Sequence, residues 1–330
     1  MLVRKNMEDL LMKKISVIVP CYNEEEVVNI FYDTTKEIVN KIENYYFEFI
    51  FVDDGSRDKT LEKLVALASE HEDVKYITFS RNFGKEAAMY AGLKLSDGDY
   101  CIVMDADLQH PPALIPIFIE GINEGYDCCA AMRTTRKGES KIRSLFSKTF
   151  YKISNSLTDV KLAQNAVDYR IMSRQMVNAV LALSEVQRFS KGIFAWVGFK
   201  TKWVPYENVE RTVGTTKWSF TGLLRYAIDG ITAFSIKPLR MLTGIGFFIS
   251  ILAILYMIWT IAEVFIYGIT VPGYATLLTV LLFMGGIIEV SLGILGEYIG
   301  RIYMESKNRP IFILKETNIE LTSLNWEKEK

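Results

Sequence analysis

Residues 241–262 contain no charged side chain, and residues 274–299 repeat the pattern, broken by Glu289 and, near the end, by Glu297. A helix rises about 1.5 Å per residue, so either segment can cross a ~30 Å hydrocarbon core. The uncharged loop 267–273 joins them. These segments restrict this part of the chain to a membrane-spanning hairpin or to a helical hairpin buried in a soluble protein. Lys237 and Arg240 precede the first segment; Arg301, Lys307 and Arg309 follow the second. The positive-inside rule then leaves both ends of the hairpin, and everything before it, on the cytoplasmic side. A carboxylate such as Glu289 has to face protein or a polar ligand inside a bilayer, or take up a proton. It is read either as a functional group or as a hydrogen bond between helices or subunits.

The preceding residues read as a soluble α/β domain. Apolar runs at 15–19, 47–52, 74–79, 100–104 and 127–132 alternate with helical patterns ending near residue 42 and over 58–70, 86–95 and 113–123. That alternation predicts a parallel, doubly wound sheet. Two acidic strings stand at strand ends: Asp53-Asp54-Gly55-Ser56 and Asp105-Ala106-Asp107. The carboxyl edge of such a sheet is where ligands bind. Carboxylates one residue apart suit a divalent cation that bridges a diphosphate. Both strings are also ordinary turn chemistry.

Residues 138–157 carry Ile142, Leu145, Phe146, Phe150 and Ile153 as an amphipathic stripe, with Lys141, Arg143, Lys148 and Lys152 on the other faces. A basic amphipathic helix lies on a membrane surface or packs on its own domain. A second candidate spans 218–236. The formal net charge of −1 gives no drive toward nucleic acid. Cys21, Cys101, Cys128 and Cys129 lack zinc-ligand spacing and lie in or beside apolar runs, so reduced, buried thiols are expected. Residues 1–14 show no signal-peptide pattern.

Four motifs occur in order: Val19-Pro20-Cys21-Tyr22-Asn23-Glu24-Glu25, then Asp53-Asp54-Gly55-Ser56, then Arg81-Asn82-Phe83-Gly84-Lys85, then Asp105-Ala106-Asp107-Leu108-Gln109-His110-Pro111-Pro112. Together they resemble the GT-A glycosyltransferases of family 2. Within that family the chain is similar to the polyprenyl-phosphate glycosyltransferases, namely the dolichol-phosphate mannose synthases and the bacterial bactoprenol glucosyltransferases. Gly296-Glu297-Tyr298-Ile299-Gly300-Arg301 looks like the bacterial members. The resemblance covers about residues 14–310. It implies a GT-A fold (Rossmann-like, with a mostly parallel sheet), a nucleotide-sugar donor, a lipid-phosphate acceptor and an inverting single displacement.

The resemblance also assigns roles. Pro20, Tyr22 and Glu24 would line the nucleobase and ribose pocket, Asp53 would contact uracil or ribose, and Asp54 and Lys85 would belong to the donor site. Asp105, Asp107 and Gln109 would hold Mg2+ or Mn2+ on the diphosphate, which assists departure of the nucleotide. Arg133, Arg143, Ser147 and Arg211 match positions that bind phosphate in relatives, and Lys217 is a further candidate for the acceptor. Arginine grips phosphate bidentately, and Arg143 and Ser147, four apart, share one helix face. Asp107 and Asp168 are the expected catalytic residues, with Asp168 aligned to the proposed base. A phosphate monoester has a second pKa of about 6, so the nucleophile is already largely ionised at neutral pH. Asp168 is therefore expected to orient the acceptor or its arginines as much as to remove a proton. Processive members carry Gln-x-x-Arg-Trp. Here Gln187-Arg188-Phe189-Ser190-Lys191-Gly192 lacks the Trp, which favours single-sugar transfer. Arg188 and Lys191 either close over the donor diphosphate or cap a helix.

The expected organisation is an N-terminal extension (1–13), a cytoplasmic GT-A domain (14–215), a juxtamembrane amphipathic helix (216–238), two transmembrane helices (239–301) and a cytoplasmic tail (302–330). A multi-pass protein of the inner (plasma) membrane is expected. UDP-glucose and undecaprenyl phosphate are the favoured substrates. N-acetylglucosamine, an aminoarabinose derivative and mannose are the competing sugars, and a processive synthase or a non-catalytic scaffold are the competing functions. Gly285, Gly286, Gly293 and Gly296 allow close helix packing in a homo-oligomer. Residues 310–315 are expected to add a strand to a neighbouring subunit's sheet.

Overall fold

The computed structural model describes residues 12–134, 155–158, 160–207, 230–268 and 273–321. The stripe over 138–157 and the helix over 216–238 therefore lie largely outside the described residues, as does most of the N-terminal extension.

The elements run β1 (Lys13–Cys21), α1 (Val28–Val39), β2 (Tyr45–Asp53), α2 (Thr60–Glu70), β3 (Val74–Phe79), α3 (Lys85–Leu95) and β4 (Tyr100–Val103). A 3-10 turn (Pro112–Leu114), α4 (Ile115–Asn123), β5 (Cys128–Arg133), β6 (Ala166–Ser173), α5 (Arg174–Leu181), α6 (Ser190–Trp196) and β7 (Thr201–Tyr206) follow. Then come the long helices α7 (Lys237–Tyr267) and α8 (Tyr274–Ser306), and last β8 (Leu314–Thr317).

The strands form one sheet in the order β7-β5-β6-β4-β1-β2-β3-β8. Its centre is parallel, with Cys21 opposite Asp53 and Ile18 opposite Val103. The strand runs are continuously apolar because both sheet faces are covered. Val17, Val19, Phe49 and Phe51 join one core with Phe31, Leu64 and Phe118. Ile18, Ile50 and Val52 join the other with Met89, Leu93 and Ile193. The four cysteines are free and buried, as expected, and burial pushes the Cys101 thiol up to about 11.

Two features depart from the simplest reading. The sheet is mixed: β6 runs antiparallel to both β4 and β5. The strand expected to join a neighbouring subunit instead pairs within the chain, as β8 antiparallel to β3. Phe312 just before it is buried and stacks on Phe79 at 4.9 Å, so apolar burial favours this return over an open edge.

Candidate active site

The chain leaves β1 toward β2 on one side of the sheet and later returns beside β1 as β4, so the crevice at their carboxyl ends is the topological switch point. The loop after β1 is laced to the loop after β2. Asn23 N–H donates to Ser56 Oγ at 2.9 Å, Arg57 N–H to Asn23 Oδ1 at 2.9 Å, and Glu24 N–H to Thr60 Oγ1 at 2.9 Å. Asn23 takes a φ of +54°, a conformation asparagine tolerates well. Pro20, Tyr22 and Glu24 are half-buried along this rim.

Asp53 and Asp54 are braces in this framework. Asp53 is 1% exposed; its carboxylate accepts from the Thr78 hydroxyl at 2.6 Å and from Ser56 N–H at 3.1 Å. Asp54 accepts from Phe83 N–H at 2.6 Å and Gly84 N–H at 2.8 Å, and burial raises its carboxyl above the usual range. The carboxylates expected to reach the donor are thus engaged inside the protein, where they set the loop 81–84 over Gly55. Gly55 has φ +66°, and a Cβ there would lie 2.5 Å from the backbone carbon of Arg81. Gly55→Ala is expected to lower stability by about 2 kcal/mol or more, through strain and the displaced loop. Thermal unfolding in detergent measures this; an unchanged midpoint would contradict it.

Beyond β4, the ligand atoms of Asp105, Asp107 and His110 all lie within 4.8 Å of one another. His110 is 3% exposed, and among the described residues neither ring nitrogen has a hydrogen-bond partner. Unpartnered buried nitrogens facing two carboxylates fit a divalent cation. Burial lowers the ring's pKa, which keeps it neutral as a ligand must be. The ring stacks on Tyr169 at 5.7 Å. Gln109, the expected third ligand, is half-buried in the same turn and donates its N–H to Asp107 Oδ1 at 3.2 Å. Motif reasoning does not single out His110 as a ligand. The signal is present in the sequence all the same: it is one of only two histidines in the chain and follows the acidic string closely.

Lys85 opens α3 and spans two acids, with Nζ 2.6 Å from Asp105 Oδ1 and 2.8 Å from Asp168 Oδ2. Asp168 reaches this spot because β6 pairs with β4, Arg170 lying opposite Val103. Burial alone would raise the Asp168 carboxyl, but the ammonium groups of Lys85 and Lys191 outweigh it and hold it well below the ordinary range. The next residue, Glu86, accepts from Ser190 N–H at 3.0 Å and from the Ser190 hydroxyl. Burial, reinforced by the Asp168 charge, pushes its carboxyl up to about 7.

The remaining candidates divide. Arg133 ends β5 half-buried, its Nε donating to Tyr206 Oη at 3.2 Å. Arg143, Ser147, Arg211 and Lys217 lie outside the described residues. Arg188 turns away from the site: it donates to Leu183 O and Val180 O and stands 4.5 Å over the Tyr90 ring. Of its two readings, helix capping at the end of α5 is the observed one.

α7 and α8 are long and apolar enough to cross a membrane, and no residue of their most apolar stretches is buried within the protein. Among the described residues nothing buries them inside the protein, as the other reading of these segments would require. Glu289 is exposed on α8.

A switch-point crevice bearing an acidic, metal-competent cluster is the arrangement of an α/β enzyme. The chain belongs to glycosyl transferase family 2, whose description matches residues 16–181, and residues 237–302 match the GtrB C-terminal hairpin. It is thus a membrane-associated glycosyltransferase. It is 50% identical over 305 residues to CsbB of Bacillus subtilis, covering 92% of each chain. It is 41% identical over 305 residues to the bactoprenol glucosyl transferase of Shigella phage SfII, covering 92% of this chain and 98% of that one. Among solved structures it is similar to glucosyl-3-phosphoglycerate synthase from Mycobacterium tuberculosis with Mn2+, UDP-glucose and phosphoglyceric acid (TM-score 0.45, 19% identity, 67% of this chain and 78% of that one).

Proposed function

We propose that the protein transfers one glucose from UDP-glucose to undecaprenyl phosphate, with inversion, at the cytoplasmic face of the inner (plasma) membrane. The observation that carries this is the joining of the Asp105–Asp107–His110 cluster and Asp168 to an apolar hairpin in one chain. The full-length similarity to bactoprenol glucosyl transferases supports the acceptor and the sugar. Lys237 and Arg240 before α7, and Arg301, Lys307 and Arg309 at the end of α8 and beyond, support a cytoplasmic catalytic domain.

Asp105, Asp107 and His110 would hold the divalent cation, with Gln109 beside them. Oxygen ligands suit Mg2+ and Mn2+ alike. The cation supplies Lewis-acid stabilisation of the departing diphosphate. Pro20, Tyr22 and Glu24 would border the nucleoside on a rim braced by Asp53 and Asp54. Lys85 keeps its charge because two carboxylates outweigh its burial, and the role proposed for that charge is to meet a phosphate oxygen. Arg133, Arg143, Ser147, Arg211 and Lys217 are the proposed acceptor-phosphate residues. Asp168 is a poor proton acceptor at its lowered pKa, so its proposed role is to orient the cations around the acceptor. The absent Trp after Arg188, and two candidate spans among the described residues, favour one transfer per acceptor over processive synthesis.

In α8, Cβ atoms added at Gly285, Gly286, Gly293 and Gly296 would meet, apart from the helix's own backbone, no atom of the described residues within 4 Å. That face is available to a second hairpin, so we propose a homo-oligomer, which cross-linking in native membranes tests. A donor screen tests the reaction. Purified protein with undecaprenyl phosphate and Mn2+ or Mg2+ receives labelled UDP-glucose, UDP-N-acetylglucosamine or GDP-mannose. Label entering the organic phase from UDP-glucose alone is the expected result. Transfer from UDP-N-acetylglucosamine alone would change the sugar, and transfer from none would remove the proposal.

A further inference from the structure

The segment between α5 and α6 is held from three directions. At its start, Val186 N–H and Gln187 N–H donate to Glu305 Oε1, in the last turn of α8, at 2.9 and 3.4 Å. At its end, a Cβ on Gly192 would lie 2.3 Å from the Phe234 ring, and the Phe189 and Phe234 rings are 6.1 Å apart. Phe234 stands three residues before Lys237, where α7 begins. Between these points, Ser190 donates both its N–H and its hydroxyl to Oε2 of Glu86, next to Lys85 in the catalytic array. Residues 186–192 therefore tie the base of the hairpin to the site.

Lys191 sits on this tied turn. Its charge acts on Asp168, and with Lys161, Arg170, Phe194, Phe199 and Trp203 it lines a cavity of about 180 Å³. Cations beside aromatic walls suit an anionic head on an apolar chain. A phosphate carried by a lipid arrives from the hairpin side, and Lys191 stands on the element packed against the residues leading into α7.

Resting on the acceptor reading above, we propose that the Glu86–Ser190 pair is a positioning latch. It fixes the first turn of α6 so that Lys191 meets the phosphate of the lipid acceptor beside Asp168. Glu86 touches no substrate and acts through Ser190 and Lys191. Because one Glu86 oxygen accepts both Ser190 bonds, the latch needs an acceptor oxygen and not a negative charge. A glutamine can replace it, whereas an alanine leaves two Ser190 donors unpaired.

The test is binding of undecaprenyl phosphate to the full chain in detergent micelles, with binding of UDP and Mn2+ measured beside it. Lys191→Ala and Glu86→Ala are each expected to weaken lipid-phosphate binding about tenfold, as for loss of one charge-assisted contact. The double variant should be no weaker than Lys191→Ala, since both changes remove the same contact. Glu86→Gln should stay within about twofold of the parent, and UDP binding should not change. Ser190→Ala breaks the pair from the other side and is expected to weaken binding about threefold, so the latch remains falsifiable where Glu86→Ala does not fold. Additive losses, an unchanged Glu86→Ala or Ser190→Ala, or a Lys191→Ala defect confined to UDP would each overturn the latch. If the parent protein binds no lipid phosphate, the acceptor reading itself fails, a result distinct from any of these.

Discussion

Asp107→Ala is expected to cut sugar transfer about a thousandfold or more while the protein still folds and unfolds cooperatively. Lewis-acid stabilisation of a leaving diphosphate amounts to several kcal/mol, and each 1.36 kcal/mol is a factor of ten in rate. Asp107 is the position to test because its removal leaves the Lys85–Asp168 pair in place. Asp105 is also the partner of Lys85, so its loss would strand an ammonium group in the site. Asp107 is half-buried in a tight turn at Leu108, where φ is +54°, and accepts from the neighbouring Gln109 N–H. Free Mn2+ followed by electron paramagnetic resonance should show the site lost in the variant. Transfer within tenfold of the parent, with Mn2+ still bound, would show that the acidic string does not hold the cation.

Asp168→Asn should lower kcat/KM by about ten- to a hundredfold, with a pH–rate profile parallel to the parent's. The lipid phosphate is largely ionised above its second pKa of about 6, so a base has little to remove. Asp168 is also held far below the ordinary carboxylate range, where a base is weak. What the asparagine loses is the charge that gathers Lys85 and Lys191. A residual rate climbing tenfold per pH unit would instead identify Asp168 as the general base. Stability supplies a second readout. The folded pKa is depressed, so the carboxylate stabilises the fold above the unfolded value near 4 and loses that contribution as pH falls below it. The variant should therefore be less stable than the parent at pH 7, and the gap should narrow on acidification.

The sequence discloses the centre of the sheet well, because a strand covered on both faces has to be apolar throughout. The runs at 15–19, 47–52 and 74–79 lie inside β1, β2 and β3 or coincide with them. The later strands are harder to read. β6 contains Asp168 and Arg170, and β7 contains Lys202 and Pro205, so their apolar runs are broken. The antiparallel insertion of β6 depends on a pairing partner far away in the chain, which no local pattern records. The site divides similarly. Asp105, Asp107 and Asp168 could be named from motifs, whereas the internal engagement of Asp53 and Asp54 depends on where the loop 81–84 closes. Glu86 and Ser190 meet across about a hundred residues of sequence, and only the packing of α6 against α3 brings them together.

β8 gives the catalytic domain a second attachment. The chain enters the hairpin past Phe234 and leaves it past Glu305, then stitches itself into the outer edge of the sheet beside β3. A domain on one tether can swing like a flag; a domain sewn down at both ends stands like a tripod. Its crevice is then held at one height relative to the base of the hairpin, and on the proposed function the acceptor would be gauged by reach.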